Sequence, residues 1–548
     1  MLSSTNTKEE IIKKVQEDWV PGTVHLVDVG HSLNVEHNGE SDIILIPQPT
    51  DDPNDPLTWS WKRKNIQFAI LFYWCFLSAV TTNWSGPVWD YFLTEYNTSY
   101  SQLNNTSACG FLFLGIGCLI LQPTAMKFGR RGVYLFATVI QTLGNVVGGV
   151  SKTIGHLYCS SILTCFAGAP GDSLVQISTT DIFYQHERAT RISLLTFSIY
   201  SGSFLGPVAA GYIAENEKFG WRWCFWFLTI FFGALCAFQF FFMEDSTFVR
   251  FTSASKTEEN TLVQVKSKEL DVDLVSVLKS HDDDIEANSV KYIKRSFIQR
   301  LKVIESVYND PRPWWKICVR PVITVMFPAT VWGGFVYGVQ IMWLSLISTT
   351  QSEVFSTTPY NFSAIGVGNT NFASLIGSFF GMFWGGTLSD KFVAWKSRKN
   401  GGVMEPEFRL WFLLLPAVIN SAGLLMYGLG SNAGVKWILP AGFGMAFLGF
   451  GMGSGGAIVL TYAIDCYPEM QSECMVLMLF IRNMIGTGFT FAIQPWLDTD
   501  GIVKTTWLMF MLSMVFNFSF LIFIQWGKKF RIMTKKSYIK FCDPDTFL

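Results

Sequence analysis

Long charge-free runs, repeated along the chain, constrain this sequence more than any other feature. A bilayer core requires roughly 20 consecutive apolar residues per crossing helix. Runs of that size occur near 66–89, 107–126, 132–151, 154–180, 192–214 and 223–243, and again near 321–350, 362–389, 410–433, 437–464, 474–497 and 505–527. Single charges interrupt two of them, Asp172 in the fourth and Arg482 in the eleventh. Charged residues are 15% of the chain, against about 25% in soluble proteins. The pattern predicts an all-α, polytopic membrane protein with twelve transmembrane helices in two pseudo-symmetric six-helix bundles. It divides the chain into a tail at 1–65, a bundle at 66–243, a loop at 244–320, a second bundle at 321–527 and a tail at 528–548.

Orientation follows from Lys and Arg, which gather in cytoplasmic loops. With the N-terminus inside, the short inner loops carry Lys127, Arg130, Arg131, Arg188, Arg191, Lys391, Lys396, Arg398, Lys399 and Arg409, and the outer loops only Lys152, Lys218, Arg222, Lys436 and Lys504. Both termini are therefore predicted to be cytoplasmic. The sequons at Asn97, Asn104 and Asn361 then fall in outer loops, as glycosylation would require. The loop at 244–320 is rich in Lys, Glu, Asp and Ser and reads as disordered or surface-helical. A net charge of −1 makes no case for nucleic acid. The 11 cysteines lack zinc-type spacing and read as small buried hydrophobes, so no metal or cofactor is expected. The N-terminus lacks the short apolar segment of a cleaved signal, which leaves the first span as the expected insertion signal.

Several motifs carry mechanism. Gly202-Ser203-Phe204-Leu205-Gly206-Pro207-Val208-Ala209-Ala210-Gly211 in span 5 is dense in small residues, which let helix backbones approach closely. Pro207 predicts a kink. Lys127-Phe128-Gly129-Arg130-Arg131 lies between spans 2 and 3, and Gly386-Thr387-Leu388-Ser389-Asp390-Lys391 ends span 8. A carboxylate and basic groups at a helix mouth can form a salt-bridge latch, for which Asp390 is the stronger candidate. Asp172 lies about 16 residues into span 4, roughly 24 Å along it. A carboxylate inside the hydrocarbon region is expensive unless it meets water or a partner. It could exchange a proton or bind a cation; the alternative is a structural hydrogen bond between helices. Gln176 and Thr179 extend it into a polar stripe. Asp181, at the inner mouth, is expected to pair with Arg188 or Arg191. Asp465 ends span 10 in either a solvated or a gating role. Arg482 needs a partner, for which Asp465 and Glu473 are nearest in sequence.

Together these pieces resemble the fungal twelve-spanner drug:proton antiporter family of the major facilitator superfamily. The glycine-proline stretch resembles that superfamily's antiporter motif, and the two loop sequences resemble its gating signature. In the first copy Met126 stands at the aspartate position and Gln122 at the first glycine. Asp181 to Glu187, Glu407 to Leu410, Ala422 to Gly428 and Asp465 to Met470 resemble the yeast histidinol and polyamine transporter branch. In the broader family an arginine stands about four residues before Gly168; here that position is Thr164, which shifts weight to Asp172. The resemblance implies alternating access, with spans 1, 4, 7 and 10 around a central cavity. Candidate wall residues are then Asn83, Trp84, Asp172, Gln176, Tyr337, Gln340 and Tyr462, with Tyr337 and Trp343 able to offer ring faces to a cation.

The leading expectation is proton-coupled transport of small organic cations, drug-like amines or polyamines, across the plasma membrane by an antiport-type carrier acting as a monomer. Nutrient amine uptake is the alternative, and a non-transporting sensor on a transporter fold a further one. An enzyme is not expected: no Gly-x-Ser-x-Gly, HExxH or P-loop occurs, and without a P-loop the chain has no ATP-driven pump of its own.

Overall fold

The structure, a computed structural model, describes residues 20–25, 53–247, 297–302 and 313–542. Most of the 244–320 loop thus lies outside the described residues. Nine helical stretches among the described residues are long and apolar enough to cross a membrane. The last of these, Pro468–Cys542, is a double pass. Residues 333 and 345 of span 7 meet 478 and 490 in rising order, whereas 332 and 335 meet 519 and 516 in falling order. The chain therefore reverses within this stretch, at Gly501, the residue with non-helical φ 71°. Spans 4 and 8 bring the passes to twelve. Span 4 is interrupted at Ser173 into Ile154–Asp172 and Leu174–Ile182. Span 8, Ala364–Phe383, runs on through a π turn at Trp384–Leu388.

Small residues set the packing. A Cβ on Gly202 would strike the Phe76 carbonyl, joining span 5 to span 1; one on Gly117 would meet Ala169, joining span 2 to span 4. Gly144 lies against Thr164 (spans 3 and 4) and Gly148 against Phe225 (spans 3 and 6). The second half repeats each contact six spans on: Gly338 against Ile485, Gly381 against Phe450, Gly423 against Phe447 and Gly428 against Thr506. That repetition is the two-bundle pseudo-symmetry. The bundles meet along two seams, span 2 with span 11 at Gly115 and Met484, and span 5 with span 8 at Gly386 and Ser193. Apolar side chains such as Phe238, Phe241, Phe380, Met511 and Val515 cover the outside, where lipid would lie.

Three departures from the expected spans shape the molecule most. Span 1 starts at Trp61, ends at Asn83, and is followed by a short helix, Trp89–Tyr96. Span 7 starts at Pro328 and not near 321, because Phe327 is extended, the conformation favoured before proline. Ahead of it lies a separate helix, Trp314–Ile323. In span 4 the Gly168-Ala169-Pro170-Gly171 run weakens the helix, and Asp172 ends its first segment. The expected stripe of Asp172, Gln176 and Thr179 is therefore interrupted by the break at Ser173.

Candidate functional site

Asp172 sits where the bundles face one another, held by the break in span 4. The Trp74 ring packs against Gly171, and the Cys75 thiol donates to the Gly171 carbonyl at 3.3 Å. Its partner is Arg482 of span 11, 310 residues away, whose Nη1 donates to Asp172 Oδ2 at 2.7 Å. Neither Asp465 nor Glu473, the carboxylates near Arg482 in sequence, is this partner. Asp465 pairs with Arg409 at 2.8 Å and Glu473 with Arg320 at 3.2 Å. Both members of the central pair are buried. The Arg482 guanidinium lies 4.6 Å from the Tyr337 ring centroid, a cation–π contact. Tyr200 of span 5 completes the group: its hydroxyl and the Tyr337 ring both meet a Cβ placed on Gly456 of span 10. The buried side-chain atoms of Gln176, Asn483, Tyr200 Oη and Trp343 Nε1 have no hydrogen-bond partner among the described residues.

Other expected wall residues lie elsewhere. Gln340 turns into the second bundle, donating to Asn517 and accepting from Asn420, each at 3.0 Å. Tyr462 packs edge-on against Trp332 and Phe523. Asn83 donates to Ser203 at 3.1 Å, and Trp84 packs edge-on against Phe92 and Phe225. Both line a small cavity of about 90 Å³ at the end of span 1, with Thr81, Trp89 and Ser348. Tyr200, and Arg482 as a central residue, were missed. For Arg482 the signal was a balance of charge: one isolated charge inside each half, opposite in sign.

The gates lie at the end of the molecule where both described chain ends sit; there Arg531 donates to the Pro21 carbonyl at 2.5 Å. In the first half Arg130 pairs with Asp181, and its N–H donates to Asp245 at 3.1 Å. Asp181 was expected to pair with Arg188 or Arg191. Arg191 instead lies over the Phe183 ring at 4.2 Å, and the Arg188 side chain is outside the described residues. Arg131 is buried and donates to the Phe240 carbonyl at 2.6 Å. In the second half Arg409 bridges Asp390 and Asp465 at 2.8 Å each. Asp390 also reaches across the seam, accepting from the N–H and hydroxyl of Thr190 at 3.0 Å. Lys391 is exposed. Gly202 and Gly206 of the span 5 motif face span 1, Gly211 meets the start of span 8 at Ala364, and Pro207 lies inside the helix. Asn97 and Asn361 are exposed, but Asn104 is buried and donates to Gln494 at 3.2 Å, which removes it as a glycan acceptor.

Residues 71–491 match the Major Facilitator Superfamily model. The chain belongs to the major facilitator superfamily. Among its relatives, an uncharacterized MFS-type transporter of Schizosaccharomyces pombe, C1271.10c, is 31% identical over 95% of this chain and 94% of its own. Protein HOL1 of Saccharomyces cerevisiae is 30% identical over 95% and 97%. Solved structures share the fold: the Escherichia coli xylose symporter XylE at TM-score 0.58 and 12% identity, covering 85% of this chain and 97% of its own, and human MFSD10 at TM-score 0.53 and 14% identity, covering 83% and 99%. This MFS protein is thus a multi-pass membrane transporter and not an enzyme.

Proposed function

We propose that this transporter carries small organic cations of the amine or polyamine class by proton-coupled alternating access. The observation that carries the reading is the central site itself: Asp172 already holds a guanidinium between the two bundles, with Tyr337 beneath it. A carboxylate with an aromatic face suits an amine. The stretches that resemble the histidinol and polyamine branch support polyamine-like substrates. Proton coupling follows from the same carboxylate, which can bind either a proton or a cation, and this supports an antiport-type cycle. Amine uptake is the alternative and uses the same residues. The charge bias of the loops supports cytoplasmic termini, and Asn97 and Asn361, both exposed, are the remaining acceptor candidates for glycans, as a plasma-membrane carrier would present them.

The test is flux of a panel of radiolabelled amines and cationic drugs in cells lacking their own carriers, scored for direction across external pH. Asp172→Asn is expected to lower amine flux at least tenfold or so and to flatten its pH dependence. Wild-type flux and pH profile in the variant would remove Asp172 from the mechanism.

A further inference from the structure

Transport of a cation on Asp172 leaves Arg482 without a task. The two residues come from opposite bundles, and their 2.7 Å contact crosses the enclosed centre. Arg482 Nε has no hydrogen-bond partner among the described residues, and the guanidinium plane is held by the Tyr337 ring. Arginine remains charged at any physiological pH, so it cannot leave Asp172 by deprotonation. A second cation on the same buried carboxylate would meet strong repulsion in a weakly screening interior. The substrate and Arg482 must therefore alternate on Asp172.

We propose that Arg482 is a resident cation, a specificity-determining residue that occupies Asp172 between transport cycles and is displaced by the ammonium group of the substrate. This rests on the cation half of the reading above; in the return step Arg482 takes the place on Asp172 that the proton holds in that reading. The resident pair keeps the empty centre neutral and ties the bundles together, so the unloaded carrier can close and reorient. Apparent substrate affinity is then a difference between two affinities for one carboxylate. Small inorganic cations gain too little from Asp172 to offset the lost hydrogen bond and ring contact; an organic amine recovers both. The displaced guanidinium has other acceptors: the amide oxygens of Gln176 and Asn483, which have no partner among the described residues, lie on the same two spans.

The experiment compares wild type, Arg482→Gln, Arg482→Lys and Asp172→Asn in proteoliposomes, with radiolabelled spermidine as probe. Net influx into empty vesicles is measured beside exchange against unlabelled internal spermidine. Arg482→Gln is expected to lower KM about tenfold, to lower saturated net influx about tenfold, and to keep exchange near the wild-type rate. Arg482→Lys, which retains the charge but not the fork, is expected to restore most of the net influx and to lower KM by a smaller factor. If Arg482→Gln raises KM, or loses exchange as fully as net influx, the displacement idea is overturned and Arg482 contacts substrate or only braces the fold. If Arg482→Gln does not reach the membrane, Arg482→Lys decides: an unchanged or raised KM overturns the proposal. Wild-type protein without spermidine flux overturns both this and the cation reading. Wild-type flux lost in Asp172→Asn, with net influx and exchange falling together in Arg482→Gln, overturns the displacement alone.

Discussion

The two seams between the bundles are related by pseudo-symmetry yet clasped by different chemistry. Along spans 5 and 8 a carboxylate grips a backbone N–H at each end: Asp390 on Thr190 at 3.0 Å, and Glu215 on Ile365 at 2.9 Å. Along spans 2 and 11 the clasps are neutral. Gln122 donates to Ser472 at 2.9 Å, and Asn104 to Gln494 at 3.2 Å. Hydrogen bonds to a charged acceptor are roughly twice as strong as neutral ones. A rocking carrier must break one end of both seams in each half cycle. The difference teaches that spans 5 and 8 carry the costly part of the gate, while spans 2 and 11 part cheaply.

The largest expected effect comes from Arg409. It neutralises Asp390 and Asp465 together, and all three side chains are largely buried. Arg409→Ala strands two carboxylates side by side and is expected to cost about 3–5 kcal/mol. The thermal midpoint of detergent-solubilised protein reports this loss. Arg130→Ala, the first-half counterpart, removes the cation from one carboxylate, Asp181, where Arg409→Ala removes it from two. Its loss should be smaller. Equal losses would break the contrast between the halves.

Next in size are the clasps themselves. Asp390→Asn keeps an oxygen for Thr190 but forfeits the charge, and should favour opening at the end that carries the chain termini. Ser193, packed against Gly386 on the same seam, reports it: a Ser193→Cys background should react with a water-soluble thiol reagent about tenfold faster once Asp390 is neutral. Glu215→Gln weakens the other end of the seam and should leave that labelling rate unchanged or lower it. Faster labelling in both variants would mean that the seam loosens as a whole and does not gate end by end.

Much of this was legible beforehand, and the reasons are physical. Bilayer length and the absence of charge located the passes, because lipid imposes both on any crossing helix. Asp390 could be read from its motif because the latch is local to a helix mouth. The Asp172–Arg482 pair could not be read, because 310 residues separate its members and nearness in sequence, which offers Asp465 and Glu473, says nothing of which spans meet. Gln340 and Tyr462 were misplaced for another reason. Spans 7 and 10 are buried on nearly every side, so their apolar residues mark no single face, and periodicity cannot say which polar side chain points at the axis. The break at Ser173 was hinted at by Pro170 and its flanking glycines, yet a proline within a membrane helix is tolerated often enough that its presence alone did not fix a break.

The smallest expected effect is also the sharpest test of the contrast. Met126 occupies the position that Asp390 holds in the other half, and its sulfur receives the Ser472 hydroxyl at 3.1 Å. Ser472 stands near the start of span 11 as Thr190 stands near the start of span 5. Met126→Asp would place a carboxylate where the seam now has a thioether, with the Ser472 hydroxyl already aimed at it. The variant should convert the neutral seam into a charged one at that end. Saturated flux is then expected to fall by about two- to fivefold with KM nearly unchanged, since the added bond opposes opening and touches no substrate. Thermal stability should hold or rise slightly, because the new acceptor finds its donor in place. A fall in stability would mean that the carboxylate is buried without adequate partners. Unchanged flux would show that spans 2 and 11 do not part at this end during the rate-limiting step, so that the cheap seam is a hinge and spans 5 and 8 alone form the gate.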